Sequence, residues 1–328
     1  MIPIKPALTS LVSLQINLAP SDYLHAKFIL PHQLKVLAPQ VDEIILSVDT
    51  KPSKGRFSIG WNAYKELLYD FLRDEIQPKY KVKIVSVDYS KEIQSKIASY
   101  FFGRDQLPEK DFRGGPFYAY FFGLYIASNA LVFHLDSDMF LGGGSRTWIA
   151  EAVKLFETDP MCLIVSPLPG PPHPDGHLIN QSIKNRIGPY IYELHGMSTR
   201  IFMIDKSIIK KRTLTLKKPG FRNQIKAIIE NNSNADLPEH LISAYLNKYN
   251  FKRIDFLGVE SGLWSLHPPY RTKTFYNNLS SIITRIEIND LPKAQNGFYD
   301  IIDDVCDWSE ARVNLKNNRW WKKLYRHE

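Results

Sequence analysis

Residues 131–140 read LVFHLDSDMF, a short apolar run that ends in two carboxylates, Asp136 and Asp138. An apolar run of this length between polar residues predicts a buried β-strand. The two acids then lie at the carboxyl end of the strand, where open α/β sheets bind ligands. Carboxylates in that position favour a hard divalent cation, which commonly carries the phosphates of a nucleotide. The simpler alternative is that both acids only end the strand and cap the next turn.

The residues before this stretch alternate between strand and helix patterns. Apolar runs at 11–16, 43–48 and 82–87 predict three further strands. Apolar residues recur near a period of 3.6 over Tyr23–Leu37 and Trp61–Phe71, which predicts amphipathic helices there. This alternation is typical of a doubly wound α/β fold, with a mainly parallel central sheet and helices on both faces.

Acids also follow two of the earlier strands: Asp49 follows the second and Asp88 the third, and residues 112–116, FRGGP, open the next predicted helix. With acids at three strand ends, the sequence resembles the A-type glycosyltransferases, particularly the inverting, family 2-like branch. The resemblance covers most of residues 11–267 and implies a Rossmann-like nucleotide-diphospho-sugar transferase fold. It departs from the family at residues 17–20, where Asn-Leu-Ala-Pro replaces the usual Pro-x-Tyr-Asn loop.

The resemblance also implies a donor site for a nucleoside diphosphate sugar, with a UDP-sugar favoured, and a bound Mn²⁺ or Mg²⁺. The acids after the second and third strands would hold the nucleoside, and Arg113 would meet the diphosphate or the base. Asp136 would contact the ribose or the metal, and Asp138 would hold the cation. Gly196 would lie near the donor sugar, and His267 would complete the metal shell. A lone histidine is more often simply hydrogen-bonded, which is the second interpretation of His267.

In the same family the catalytic base is an acid at the start of a late helix. Glu239 is the first candidate and Asp236 the reserve, because an amphipathic helix is predicted directly after them, at residues 241–249. Their spacing is equally that of a capping box, in which each side chain satisfies a free backbone donor of the first helical turn. The sequence leaves both interpretations open.

Two other classes of protein share parts of this pattern. Haloacid dehalogenase-type phosphatases also carry Asp-x-Asp after a strand, which would make Asp136 a nucleophile with Asp138 beside a metal. That family places the motif near the start of its core and has Thr or Val where this chain has Phe140. The other alternative is a non-catalytic carbohydrate-binding protein on a transferase fold. The intact Asp-x-Asp and the acids at the two earlier strand ends argue against it.

The length of 328 residues suits one large catalytic domain, predicted over residues 1–270. Its donor half would run to about residue 144 and its acceptor half from about 145 to 270. Residues 271–328 are predicted to form a helical appendage with a basic aromatic tail. The two cysteines, Cys162 and Cys306, are expected to be free thiols.

The formal net charge of +8 is concentrated in a cluster at residues 206–218 and in the tail at residues 312–326. The first cluster is interpreted as a solvated surface. The paired tryptophans of the tail suit docking onto the protein or the headgroups of an anionic membrane. No recognisable nucleic-acid-binding module accompanies these residues, so nucleic acid is not expected as a partner.

No apolar stretch approaches the roughly 20 residues that span a bilayer, and residues 1–6 lack the pattern of a signal peptide. The sequence therefore predicts a cytoplasmic protein, with peripheral contact at the inner face of the membrane through the tail. The predicted activity is a metal-dependent, inverting transfer of a sugar to a hydroxyl. The acceptor would be a carbohydrate, a lipid-linked molecule or a small molecule.

Overall fold

The computed structural model describes residues 11–53 and 59–317, which alternate between strands and helices. The strands are β1 Val12–Leu18, β2 Glu43–Val48, β3 Lys83–Ser86, β4 Leu131–Asp136, β5 Phe140–Gly142, β6 Cys162–Pro169, β7 Ile183–Gly188, β8 Ile191–Leu194, β9 Ile201–Asp205, β10 Lys252–Phe256 and β11 Trp264–Leu266. The helices are α1 Tyr23–Leu37, α2 Trp61–Phe71, α3 Lys91–Phe102, α4 Tyr118–Ile126, α5 Trp148–Thr158, α6 Lys206–Lys211, α7 Phe221–Ile229, α8 Pro238–Tyr249, α9 Lys273–Glu287 and α10 Ser309–Asn317. The paired tryptophans of the predicted tail lie outside the described residues.

The strands form one mixed sheet in the order β3-β2-β1-β4-β9-β6-β10-β8-β7, with β5 and β11 attached beside β6. Parallel pairing joins β3 to β2, β2 to β1 and β1 to β4, and it also joins β6 to β10. β9 runs antiparallel between β4 and β6. The carboxyl ends of the first four strands therefore meet at one edge of the sheet.

Apolar side chains alternate between the two faces of the sheet, as the period of two in a strand requires. In β4, Leu131, Phe133 and Leu135 pack in a core with α1, α2 and α5. Val132 points to the other face, into a second core with α3, α4 and α8. Full burial of each such side chain contributes about 1.5–3 kcal/mol. The predicted α/β class, with a mainly parallel sheet covered by helices on both faces, is confirmed.

The C-terminal residues share a third core with the centre of the molecule. Phe275, Leu279 and Ile282 of α9 pack with Phe140 of β5 and with Trp308, and all five are buried. The predicted boundary at residue 270 therefore does not coincide with a gap in the packing. Residues 271–317 are part of the same folded unit, because α9 covers apolar surface that would otherwise face water.

Two further expectations can be compared with the described residues. Cys162 and Cys306 are both buried and free, as predicted. Within residues 11–53 and 59–317, no helix has both the length and the apolar character needed to cross a bilayer.

Candidate functional site

The Asp-x-Asp turn follows β4 at the edge where the four parallel strands end. From α1, the Gln33 side-chain amide donates to the carbonyls of Asp136 and Met139 over 2.9 and 2.8 Å. His25, also on α1, contacts the Ser137 hydroxyl through Nε2 at 3.0 Å. Side chains of α1 thus hold the turn that carries the two acids in one position.

Asp138 is paired with an arginine that the sequence places far away. The Arg271 guanidinium donates to Asp138 Oδ2 over 2.7 Å and to Asp22 Oδ1 over 3.3 Å. Asp138 is 5% exposed, and its other oxygen, Oδ1, is buried with no hydrogen-bond donor among the described residues. Arg271 therefore joins the acid of the motif to an acid in the β1–α1 loop.

The charges in this group shift one another's pKa values. Burial raises the pKa of Asp22 to about 6, although Arg271 opposes the shift. Burial also disfavours the charged form of Asp138, but the charge and the hydrogen bond of Arg271 outweigh it and hold the pKa of Asp138 well below its usual range. At neutral pH Asp138 is consequently an ionised carboxylate in a largely dry environment, a state that needs a cation beside it.

The residues expected to hold a metal do not form a complete set of ligands among themselves. His267 directs Nδ1 to Asp300 at 2.8 Å, a carboxylate–histidine arrangement that orients the ring for ligation through its other nitrogen. Asp136 keeps 39% of its side chain exposed. Across residues 11–53 and 59–317, however, no three His, Cys, Asp or Glu side chains form a ready-made cage. The set fits a cation shared with a ligand's phosphates, since Mg²⁺ is usually bound by one or two carboxylates plus phosphates.

The two acids proposed for the nucleoside differ in how much of them a ligand could reach. Asp49, after β2, is buried, and its carboxylate accepts from Lys110 Nζ at 2.8 Å and from the Tyr89 hydroxyl at 2.7 Å. Asp88, after β3, is exposed, and among the described residues its carboxylate accepts only from the Ser90 backbone N–H, at 2.7 Å. Asp49 is thus largely satisfied within the protein, whereas Asp88 keeps acceptor capacity for a ligand.

Glu239 lies in the first turn of α8, and its carboxylate faces two donors from other segments. Arg113 donates to Oε1 over 3.4 Å, and the Thr199 hydroxyl donates to Oε2 over 3.3 Å. Arg113 therefore contacts the candidate general base, and its expected role at the diphosphate or the nucleobase stays a prediction. The Glu239 side chain is 27% exposed, so it is both held and accessible.

The reserve candidate points elsewhere. Asp236 Oδ1 accepts from the backbone N–H of Leu237 and contacts His240 Nδ1 at 2.8 Å. α8 begins at Pro238 with Leu237 as its N-cap, and the N-cap side chain makes no capping hydrogen bond. The capping-box alternative is therefore wrong, because the Glu239 side chain reaches across to Arg113 and Thr199 rather than back to the helix start.

Gly196 precedes the segment that carries Thr199. Its φ of +68° is in the left-handed region, and an added Cβ would approach Ser243 Oγ to 3.3 Å. Ser243 accepts from the Met197 N–H at 3.0 Å and donates to the Glu239 carbonyl at 2.6 Å. The loop at Gly196 is thereby attached to the first turn of α8, beside Glu239.

A short run of backbone connects the Asp-x-Asp turn with Glu239. The Asp136 N–H donates to the carbonyl of Arg200 at 2.7 Å, and Arg200 directly follows Thr199, the hydrogen-bond donor to Glu239. Tyr120 lies near both acids. Burial, then the charges of Asp136 and Glu239, raise the pKa of Tyr120 well above its usual value, and its buried hydroxyl meets no described partner. The structure therefore places Asp136 and Glu239 near each other, with Tyr120 close to both.

Several residues of this site were not found from the sequence. Asp22, His25 and Arg271 have no motif around them, and Tyr120 reads as one aromatic residue in an apolar helix. Arg271 has only one sequence signal, its position after Pro268-Pro269 and close to His267. That signal was not sufficient to predict a contact with Asp138.

No protein-family model and no curated protein sequence matches the chain. Among solved structures, UDP-glucose pyrophosphorylase complexed with UDP-glucose is 9% identical at a TM-score of 0.43, over 84% of this chain and 99% of that one. Staphylococcus aureus TarS 1–349 in complex with UDP-GlcNAc is 12% identical at 0.39, over 87% and 68%. The mannosyltransferase PcManGT from Pyrobaculum calidifontis, in complex with GDP-Man and Mn²⁺, is 11% identical at 0.41, over 87% and 65%. These similarities assign no activity to the chain.

Proposed function

We propose that this protein transfers a sugar from a nucleoside diphosphate sugar to an acceptor hydroxyl, at the edge where β1–β4 end. The observation that carries the proposal is the proximity of Asp136 to Glu239, with Asp138 two residues from Asp136 in the same turn. Thr199 and Arg200 connect the two groups of acids through hydrogen bonds. Sugar transfer needs groups that hold the diphosphate and a group that accepts a proton. Asp136 and Asp138 would serve for the first purpose and Glu239 for the second.

The donor would lie across the carboxyl ends of the parallel strands, which is where such sheets bind nucleotides. Asp88 is the acid with free acceptor capacity for the nucleoside, and Asp49 would act by holding Lys110 and Tyr89 beside it. Asp136, which is partly exposed, would contact the ribose. A UDP-sugar is the donor that we favour.

The diphosphate of the donor would be held with Mn²⁺ or Mg²⁺ by Asp138 and Asp136, with His267 as a third ligand. Such a cation, when bound, offsets the negative charge that develops on the departing diphosphate. Asp138 offers its unpaired Oδ1, and the Asp300 contact orients His267. Arg271 occupies the other oxygen of Asp138, and two cations beside one carboxylate repel each other, so a metal on Oδ1 would weaken or displace the Arg271 contact.

Glu239 would act as general base in an inverting transfer. The acceptor hydroxyl must lose its proton as it attacks the anomeric carbon opposite the leaving group, and a nearby carboxylate can accept that proton. Arg113 and Thr199 would orient the Glu239 carboxylate without burying it. The acceptor would be a carbohydrate, a lipid-linked molecule or a small molecule.

The decisive experiment is a thermal-shift screen of UDP-, GDP- and dTDP-sugars, each with and without Mn²⁺. A ligand at a hundredfold its dissociation constant stabilises a fold by about 2.7 kcal/mol, which is well within detection. We expect at least one nucleotide sugar to raise the melting temperature, and Mn²⁺ to enlarge that shift. Asp138→Asn is the matched control and should lose the metal-dependent part.

Absence of any metal-dependent shift would contradict the proposal. Hydrolysis of p-nitrophenyl phosphate would support a phosphatase instead, particularly if Asp136→Asn abolished it. A nucleotide-sugar shift without turnover on any hydroxyl acceptor would support the carbohydrate-binding alternative.

A further inference from the structure

We propose that α7 and the basic segment before it form a docking surface for an anionic lipid membrane. Four large apolar side chains of α7 are turned to water: Phe221, Ile225, Ile228 and Ile229 are 76%, 44%, 72% and 78% exposed. Contiguous apolar exposure of this kind marks an interaction site in a folded protein. A single exposed leucine or isoleucine would need no such explanation.

The four residues form one stripe along the helix. Their positions, i, i+4, i+7 and i+8, fall on one face at 3.6 residues per turn. Ala227 lies on the opposite side of α7 and is fully buried, so the helix rests on the protein through that side. The apolar stripe is thus directed away from the protein and remains unpartnered among the described residues.

Charge selects the kind of partner. Between residues 210 and 226 the chain carries no acid, and every basic side chain in that interval is exposed: Lys210, Lys211, Arg212, Lys217, Lys218, Arg222 and Lys226. Lys226 is the only one of α7 near an acid, with Glu230 at 3.8 Å. An apolar stripe bordered by cations is the composition of helices that lie in the headgroup region of anionic bilayers. A second copy of the same surface would be repelled by its own charge.

This docking surface adjoins the candidate site. Phe112 and Leu237 pack with Ala227 in a small buried cluster. The Phe112 N–H donates to the Ala235 carbonyl at 2.9 Å, and its carbonyl accepts from the Asn232 side chain at 3.1 Å. Phe112 precedes Arg113, and Leu237 lies two residues before Glu239. A membrane under α7 would therefore lie beside the candidate base.

The test is sedimentation of the full-length protein with vesicles of phosphatidylglycerol and phosphatidylcholine. We expect binding to vesicles rich in phosphatidylglycerol, weakened by salt, and little binding to pure phosphatidylcholine. The double variant Ile228→Ser/Ile229→Ser should bind roughly tenfold or more weakly, because two exposed side chains can no longer enter the bilayer. Ile288→Ser is the matched control: Ile288 is 66% exposed but lies at the end of α9, and its replacement should leave binding unchanged.

A second readout locates the contact directly. Both native cysteines are buried, so a thiol introduced by Ile229→Cys can be labelled selectively with a polarity-sensitive fluorophore. Anionic vesicles should shift its emission to the blue, and the same label at Ile288→Cys should not respond.

Equal binding by native protein and the double variant would overturn the proposal and leave the C-terminal tail as the membrane contact. No binding by the native protein would overturn it as well. A native dimer in solution that the double variant converts to monomer would show that a second copy covers α7.

Discussion

Two arginine–carboxylate pairs belong to the candidate site, and their environments differ. Arg271 and Asp138 are 2.7 Å apart, and the carboxylate side chain is only 7% exposed. Arg113 and Glu239 are 3.4 Å apart, and the carboxylate side chain is 27% exposed. The two arginine side chains are similarly exposed, at 39% and 41%, so the contrast lies in the contact length and in the carboxylate, which is largely dry in the first pair and reached by water in the second.

The difference indicates different tasks for the same pair of groups. A buried carboxylate that loses its cation carries an uncompensated charge, so Asp138 can release Arg271 only if another cation replaces it. A half-exposed pair is worth little free energy, so Glu239 can turn toward a substrate at small cost. The tight pair suits cation exchange, and the loose pair suits proton transfer.

The largest expected effect concerns the loose pair. Glu239→Gln should lower transfer by roughly a hundred- to ten-thousandfold, the usual loss when a general base is removed. Donor binding and folding should persist, because the Gln carbonyl can still accept from Arg113 while the Thr199 hydroxyl turns to accept from the Gln NH2 group. Transfer rates and donor-induced thermal shifts measure the two effects separately.

Asp236→Asn is the matched control, since Asp236 directs its carboxylate to His240 and should affect transfer little. If Asp236→Asn stopped transfer while Glu239→Gln did not, the two roles would be exchanged. If neither mattered, an inverting mechanism with a base on α8 would be wrong.

An intermediate effect is expected at the tight pair. Arg271→Gln should lower the free energy of unfolding by about 2–3 kcal/mol without metal, because Asp138 loses a charged donor in a dry site. Mn²⁺ should restore much of that loss and bind roughly tenfold more tightly than to the native protein, since its competitor is gone. Urea unfolding with and without Mn²⁺, and electron paramagnetic resonance of free Mn²⁺, measure both quantities.

A useful control replaces Arg285, a partly exposed arginine on α9 that donates to the Asp290 carbonyl, with Gln. That change should alter neither stability nor Mn²⁺ affinity appreciably. Weaker Mn²⁺ binding by Arg271→Gln would mean that Arg271 supports the cation site rather than competing for it.

The smallest effect belongs to the other arginine. Arg113→Gln should change the free energy of unfolding by less than about 1 kcal/mol, as is usual for a half-exposed ion pair. Any loss of transfer should be well below that of Glu239→Gln, because the base itself remains. A loss of stability as large as that of Arg271→Gln would contradict the conclusion that the two pairs differ in the free energy they contribute.

Local patterns were enough to predict most of the donor half. The helices Tyr23–Leu37 and Trp61–Phe71 and the strand Glu43–Val48 begin and end where their apolar periodicity predicts. The acids at the strand ends then meet at one edge because parallel strands share their direction. The position of the Asp-x-Asp follows from short-range information alone.

The remaining features depend on contacts that no local pattern carries. Proline has no N–H to donate, so Pro167 and Pro169 alone favour a loop. β6 nevertheless continues to Pro169, because the N–H groups of Leu168 and Gly170 donate to the carbonyls of Leu263 and Ser265 in the adjacent segment. Arg271 and Asp138 are 133 residues apart in sequence. The partner of Glu239 could not be predicted either, since the loop before α4 must first fold against the segment before α8.

The pairing of Asp138 with Arg271 also bears on how the chain is made. N-terminal segments of a protein emerge and fold first during synthesis. The segment that carries Asp138 is synthesised long before Arg271. Glu287, which contacts His32 of α1 at 2.9 Å, is synthesised later still, because it lies 255 residues after His32 in the sequence. Until those residues arrive, a nascent chain keeps an acid without its cation and an uncovered apolar surface at β5. Chains that stop before Arg271 would accordingly be substrates for chaperones and proteases rather than smaller, partly competent proteins.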